Sequence, residues 1–126
     1  METIHLDTNF LIALVEGDTS SSQRLERWIR EGTLLSVSAV VWTEFLTGPL
    51  SKQQLAHIET LIDEVIPFDK EHARVAATLY NKAGRGRTLR MDAMIAATAI
   101  VSKAPLATEN ISDMKPFVKE GLKLAK

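Results

Sequence analysis

The stretch that decides the fold lies near the start of the chain and reads Thr3-Ile4-His5-Leu6-Asp7-Thr8-Asn9. Its first residues are mostly β-branched or apolar and predict a short strand, and the apolar run after Asn9 predicts a helix. A strand that leads directly into a helix is typical of a parallel α/β sheet. Such sheets bind ligands outside the carboxyl ends of their strands, where the strand order reverses. Asp7 is therefore the first candidate site residue.

The composition limits the class of protein. The chain has 126 residues, of which 45% are hydrophobic and 25% charged, and its net charge is −1. These values predict one globular domain, residues 1–126, rather than a disordered chain. The absence of cysteine excludes a disulfide scaffold, a thiolate zinc site and a cysteine nucleophile. No apolar run is long enough for a membrane span and no signal peptide opens the chain, so we expect a cytoplasmic protein without membrane contact.

Strand and helix patterns alternate along the rest of the sequence. Further strands are predicted at 34–37, 64–68 and 105–108, with the tail at 122–125 as a candidate fifth strand. Between them lie amphipathic or apolar helical patterns, several of which begin at a capping residue and end at glycine. This alternation predicts a parallel sheet covered by helices on both faces.

Three more carboxylates stand out by their context. Glu44 shares a helix face with two valines, where an acid is costly unless it is paired. Asp92 opens an apolar helix, and Asp113 follows the fourth predicted strand. Each acid also has a simpler explanation, because Asp7 suits an Asx turn, Asp92 suits a helix cap and Asp113 suits a solvated loop.

As a set, these acids indicate a particular chemistry. Two unit charges about 4 Å apart at an effective dielectric near 20 repel by about 4 kcal/mol. Converging carboxylates therefore require protonation, basic partners or a metal ion. The three histidines share no metal-ligand spacing; we expect His5 in the core and both His57 and His72 on helix surfaces. Oxygen ligands without cysteine or paired histidine suit Mg²⁺ or Mn²⁺.

Four segments that carry these acids resemble the acidic motifs of the PIN domain, in particular those of the small VapC-type toxins: Leu6-Asp7-Thr8-Asn9, Thr43-Glu44-Phe45, 91–99 and 106–113. The resemblance runs almost end to end, in the order and spacing of the family. It implies a three-layer α/β/α sandwich with a five-stranded parallel sheet in the order 3-2-1-4-5. It also implies an endoribonuclease dependent on Mg²⁺ or Mn²⁺, usually dimeric and neutralised by a cognate VapB-like antitoxin.

The resemblance also implies roles for individual residues. Asp7, Glu44 and Asp92 correspond to the core catalytic and metal-binding acids, and Asp113 corresponds to the fourth. The polar groups expected to support them are Thr8, Asn9, Thr108 and Asn110.

The fourth acidic position departs from the family pattern. The family commonly has an aromatic residue directly after this acid, whereas here Met114 follows Asp113. Phe117 is a candidate to replace that aromatic residue in packing. Glu109 offers a rival carboxylate, so the sequence leaves the choice between Asp113 and Glu109 open.

An acidic pocket repels RNA, so the phosphates need basic groups elsewhere. Arg85, Arg87 and Arg90 precede Asp92 and are the candidate RNA contacts, although the same pattern fits a solvated basic loop.

Two readings other than a nuclease are a receiver-type regulatory module and a catalytically silent PIN-like binding module. A receiver needs an acid pair after the first strand, whereas Asp7 stands alone there, and no suitable lysine follows a late strand. Retention of all four acidic positions weighs against the silent module.

Overall fold

A computed structural model describes residues 2–126 and shows helices alternating with short strands. The elements in chain order are β1 (Thr3–Leu6), α1 (Thr8–Val15), α2 (Thr19–Arg30), β2 (Leu34–Ser38), α3 (Ala39–Leu46), α4 (Lys52–Leu61), β3 (Glu64–Ile66), α5 (Lys70–Lys82), α6 (Leu89–Val101), β4 (Leu106–Ala107) and α7 (Ile111–Val118). Within residues 2–126, every helix is too short or too polar to cross a membrane. The predicted α/β class is confirmed.

The sheet has the strand order β3-β2-β1-β4, and all its pairings are parallel. β1 lies inside the sheet, with His5 opposite Ser36 of β2 on one side and Leu106 of β4 on the other. The chain runs outward from β1 through β2 to β3, and then returns to the other side of β1 to form β4. The strand order therefore reverses between β1 and β4, where an open α/β sheet places its ligand site.

The predicted fifth strand is reduced to a single pairing. Leu124 forms an isolated parallel bridge with Leu106 of β4. The Leu106 N–H donates to the Lys123 carbonyl at 2.8 Å, and the Ala125 N–H donates to the Leu106 carbonyl at 2.8 Å. The tail thus takes the place of strand five. It forms a single bridge rather than a regular strand because β4, against which it pairs, has only two residues. The regular sheet of the described residues therefore has four strands.

The core is built from the central strands and from α6, the apolar helix that carries Asp92. Leu6, Val37 and Leu106 are each at most 1% exposed. α6 buries mainly small side chains, including Ala96 and Ala97, which allow close approach to its neighbours. Burial of this helix fixes the start of α6, and with it the position of an acidic residue in its first turn.

The histidine expectations are met for His5 and wrong for His72. His5 is 2% exposed, as expected for a core residue. His72 is buried as well, because it forms a capping box at the start of α5: its Nδ1 accepts the Asp69 N–H at 3.0 Å. The capping bond draws the ring back against Phe68, with ring centroids 5.7 Å apart.

Candidate active site

The four predicted acids lie on four different helices or helix starts. Asp7 follows β1 directly and is the N-cap residue of α1, and Asp113 lies in the first turn of α7, shortly after β4. Glu44 is on α3, which begins where β2 ends. Asp92 lies in the first turn of α6, whose N-cap is Thr88, so the alternative reading of Asp92 as a cap is wrong.

These elements bring all four carboxylates to one pocket of about 210 Å³. Asp7 is 4% exposed and lies at the base, whereas Asp113 is exposed. The other residues that line the pocket are Thr8, Asn9, Ile12, Asn110 and Met114. The fold therefore brings Asp7 and Asp113, which are 106 positions apart in the sequence, to the same pocket.

Donors on both sides hold the carboxylate of Asp7. The Thr8 N–H donates to Oδ1 at 2.7 Å, and the Thr108 hydroxyl lies 2.8 Å from Oδ2. Asp7 also caps α1, so the side chain of Asn9 is not needed as the helix cap. Asn9 instead turns its side-chain oxygen to the Glu109 N–H, which donates to it at 2.8 Å. The buried carboxylate therefore has a defined orientation.

Neutral donors also orient two of the other acids. The Thr8 hydroxyl donates to Oε1 of Glu44 at 2.7 Å, and the Asn110 side-chain amide donates to Oδ2 of Asp113. Asp92 has no side-chain hydrogen bond within residues 2–126. No lysine or arginine of the described chain forms an ion pair with any of the four acids.

Burial, together with repulsion among the acids, raises the pKa of two of them. Burial raises the pKa of Asp7, although hydrogen bonds from Thr108 and Thr8 oppose the rise. Burial raises the pKa of Asp92 to about 6, and repulsion from Asp7, Asp113 and Glu44 adds to the effect. The pocket therefore concentrates negative charge that the described residues do not neutralise.

The donor set fits a hard divalent cation. Carboxylate, hydroxyl and amide oxygens are the ligands that Mg²⁺ and Mn²⁺ prefer, and a cation would relieve the repulsion among the acids. Among residues 2–126, no three acidic or histidine side chains stand together as a ready-made metal-ligand group. Asp7 is fixed by its hydrogen bonds, so side-chain rotation of the more exposed acids towards it would be needed to complete a coordination shell.

The structure places Asp113, and not Glu109, at the pocket. Oε1 of Glu109 accepts from the Ser21 hydroxyl at 2.7 Å and lies 3.9 Å from Nη1 of Arg24. These contacts hold Glu109 against α2. Sequence alone left the choice open because the residues that engage Glu109 lie more than 80 positions away.

The three candidate RNA-binding arginines have different surroundings. The guanidinium groups of Arg85 and Arg90 lie 5.3 and 5.2 Å from the ring centroid of Tyr80, and Arg85 also donates to Asn81. Arg87 is exposed and has neither an ion pair nor a side-chain hydrogen bond in the described part of the chain. Of these three arginines, Arg87 is therefore the one whose guanidinium is free to contact a phosphate.

Ile12 is a pocket residue that the sequence analysis missed. It lines the acidic pocket and is 44% exposed. The available signal was spacing, since Ile12 follows Thr8 by four residues and shares its helix face. An apolar side chain at the rim offers a contact surface for an apolar group of a ligand or partner.

A larger cavity, of about 620 Å³, lies at the opposite edge of the sheet, near the amino ends of β1, β2 and β4. Its acids are Glu2 and Glu31, which face the basic residues Arg27, Lys103, Lys123 and Lys126 in the same lining. The smaller pocket remains the candidate active site, because it joins the strand-order reversal to a concentration of unpaired carboxylates.

The fold and site define an α/β protein with an acidic pocket at the reversal point of a parallel sheet. The family model of the PIN domain matches residues 4–112. The chain belongs to the PIN domain family. No curated protein sequence matches it significantly.

Solved structures show the same fold. A chain of the DNA-bound VapBC complex from Salmonella typhimurium matches with a TM-score of 0.76 and 20% identity, over 99% of this chain and 98% of that one. A chain of VapBC2 from Rickettsia felis, bound to a promoter DNA fragment, gives 0.75 and 20%, over 98% and 97%. A toxin–antitoxin complex from Klebsiella pneumoniae gives 0.73 and 25%, over 89% and 90%.

Proposed function

We propose that this chain is a VapC-type toxin, an endoribonuclease that uses Mg²⁺ or Mn²⁺ to hydrolyse RNA phosphodiester bonds. The observation that carries the proposal is the convergence of Asp7, Glu44, Asp92 and Asp113 on one pocket without a described cation. Membership of the PIN domain family supports it. So does the similarity of fold to chains of toxin–antitoxin complexes.

The four acids would hold the ion, with Asp7 and Asp92 as its principal ligands. When bound, a divalent ion supplies Lewis acidity that activates water for attack and neutralises charge on the phosphate. Thr108 and Thr8 fix the carboxylate of Asp7, and the Thr8 hydroxyl also orients Glu44. The Asn110 amide orients Asp113 at the exposed side of the pocket. In this assignment no side chain of the protein acts as a nucleophile.

Binding of RNA requires positive charge outside the acidic pocket. We assign phosphate contact to Arg87 first, because Arg85 and Arg90 already lie against Tyr80. Basic side chains that neutralise phosphates release counterions, so their contribution weakens as salt increases.

We further propose a VapB-like antitoxin as partner and a homodimer as the assembly. The complexes named in the matched structures support the first. Exposed apolar side chains beside the acids support a protein partner as well, since Ile12 lines the pocket and Ile111 begins the helix that carries Asp113. We treat residues 1–126 as one PIN domain and place its activity in the cytoplasm.

The test is cleavage of total cellular RNA by the purified protein in Mn²⁺ or in EDTA, followed by mapping of the cut ends. We expect cleavage in Mn²⁺, loss of cleavage in EDTA, and ends that carry a 5′-phosphate and a 3′-hydroxyl. Asp7→Asn should lower the cleavage rate by at least about a hundredfold, because it removes a charge from the base of the pocket.

Glu59→Gln is the matched control, because it removes one carboxylate from an exposed position on α4 that does not line the pocket. Its cleavage rate should equal that of the wild type. Full activity of Asp7→Asn would refute the assignment of the pocket. Absence of cleavage in the wild type, together with metal-independent RNA binding, would favour the silent binding module.

A further inference from the structure

Ser21 has a buried hydroxyl that the proposed mechanism does not use. It lies in the first turn of α2, and its residue is 0% exposed. The hydroxyl oxygen is 2.7 Å from Oε1 of Glu109 and 2.8 Å from Oδ2 of Asp18. Asp18 also accepts the backbone N–H of Ser21 at 2.9 Å, as the cap of α2. The hydroxyl has one hydrogen and can donate it to only one of these carboxylates at a time. Because Asp18 already accepts the backbone N–H, we assign the hydroxyl hydrogen to Glu109, 88 positions further along the chain.

Glu109 lies in the sequence between two residues that form hydrogen bonds to acids of the pocket. The residue before it, Thr108, bonds to Asp7, and the residue after it, Asn110, bonds to Asp113. Its backbone N–H donates to Asn9 at 2.8 Å. The backbone of Glu109 is thus tied to the pocket, while its side chain is tied to α2.

Arg24 is a second residue of α2 that lies close to the side chain of Glu109. Its guanidinium lies 5.4 and 5.1 Å from the ring centroids of Phe10 and Trp28, and it donates to the Ala125 carbonyl at 2.9 Å. Its Nη1 is 3.9 Å from Glu109. The surface that receives Glu109 is therefore held by core aromatic rings and by the tail of the chain.

We propose that Ser21 is a positioning residue of the acidic pocket. Its hydroxyl holds Glu109 against α2, and so fixes the segment 108–113 in the arrangement that presents Asp113 to the pocket. The same bond keeps a competing carboxylate out of the pocket. This inference rests on the proposed role of the pocket as a cation site, and it adds a residue outside the four acidic motifs.

The experiment compares Ser21→Ala, Glu109→Ala and Glu109→Gln with the wild type. Glu109→Ala acts from the exposed side, so it tests the link even where a change at buried Ser21 impairs folding. Glutamine keeps the length of glutamate and can hydrogen-bond to the Ser21 hydroxyl in either direction, so it should rescue the link. Ser20→Ala is the control, because Ser20 is exposed in the same turn of α2.

The first readout is hydrogen exchange of residues 109 and 110 in the metal-free protein, measured by NMR. We expect Ser21→Ala and Glu109→Ala to exchange these amides about three to ten times faster, with wild-type rates in Glu109→Gln and Ser20→Ala. The second readout is the half-saturating Mn²⁺ concentration, measured by electron paramagnetic resonance. It should rise about three- to tenfold in the two alanine variants at positions 21 and 109.

Wild-type exchange at both amides in Ser21→Ala and Glu109→Ala would overturn the proposal. Faster exchange with unchanged Mn²⁺ affinity would also overturn it, because the link would then not act on the pocket. A wild-type protein that binds no Mn²⁺ refutes the proposed function instead, and the exchange rates alone then decide whether Ser21 positions the segment.

Discussion

Asp92→Asn should stabilise the metal-free protein at neutral pH, contrary to the usual effect of changing a candidate active-site residue. The pKa of Asp92 is raised from 3.8 to about 6 by burial and by repulsion from the other acids. A carboxyl group whose pKa is higher in the folded than in the unfolded state destabilises the fold once it is ionised. The penalty is complete above pH 6, declines as the pH falls from about 6 towards 3.8, and is absent below that range.

The size of the effect follows from that shift and two corrections. The full shift corresponds to an upper limit of about 3 kcal/mol. Asp92 is only partly buried, so solvent screening reduces this to about 1–1.5 kcal/mol. Asp92 also lies in the first turn of α6, where its charge interacts favourably with the helix dipole by about 0.5 kcal/mol. The net gain for asparagine is therefore about 0.5–1 kcal/mol at neutral pH, or roughly 2–5 °C in Tm.

The assay is thermal unfolding of the wild type, Asp92→Asn and the control Glu59→Gln in EDTA at pH 7.5 and pH 4.5. We expect a higher Tm for Asp92→Asn at pH 7.5, a smaller difference at pH 4.5, and a wild-type Tm for the control at both. Ligand binding to the native state stabilises it by an amount that increases with the affinity. Saturating Mn²⁺ should therefore raise the Tm of the wild type more than that of Asp92→Asn, which lacks one proposed ligand of the ion. An Asp92→Asn protein less stable than the wild type at pH 7.5 would refute the electrostatic reasoning.

Two further predictions concern His5 and Arg87. The buried Nε2 of His5 has no hydrogen-bond partner in the described residues, and burial lowers its pKa to about 4, so its contribution to stability is complete above pH 6.5 and is lost as the pH falls towards 4. His5→Leu should therefore lose about 2–3 kcal/mol less unfolding free energy than the wild type between pH 7 and pH 4, measured by urea denaturation; equal losses would contradict this reasoning. Arg87→Ala should weaken RNA binding about three- to tenfold at low salt and less at high salt, and should lower the slope of log affinity against log salt by about one. Arg30→Ala, which removes an exposed arginine at the end of α2, should bind as the wild type does, and unchanged binding by Arg87→Ala at both salt concentrations would remove Arg87 from the RNA surface.

The parts of the fold that depend on local patterns were predictable from the sequence. Asp7 stood at a strand end because an apolar strand preceded it and an apolar helix followed it. The helix α6 was evident from its nearly uniform apolar residues, although it begins at Leu89, so that Asp92 lies within its first turn. The strand order came from the resemblance to the PIN domain, and the structure reproduces it for the four regular strands.

The parts that depend on side-chain partners far apart in the sequence were not predictable. Asp113 and Glu109 are four residues apart, and helical or loop spacing does not say which of them faces the pocket. The difference arises from Ser21. Its helical spacing to the buried Leu25 and Trp28 places it on the inner face of α2, but that spacing does not identify Glu109 as its partner. The missing fifth strand has a similar cause, because its pairing partner β4 has two residues, and the length of a strand depends on its neighbour.

Asp7 contributes both to the stability of the fold and to the proposed metal site. Asp7→Asn therefore tests the role of charge in metal binding more sharply than Asp92→Asn does. Its carboxylate caps α1 and also lies at the base of the pocket. Asparagine caps a helix about as well as aspartate, so the bond from the Thr8 N–H can persist. Its amide can also donate to the Thr108 hydroxyl oxygen, which frees that hydroxyl hydrogen for Asn9, 3.2 Å away. The substitution therefore removes a buried negative charge while every neighbouring hydrogen bond can be retained. A loss of Mn²⁺ binding in Asp7→Asn at unchanged or higher Tm would thus report on charge alone, and a large fall in Tm would show that the cap geometry depends on the carboxylate.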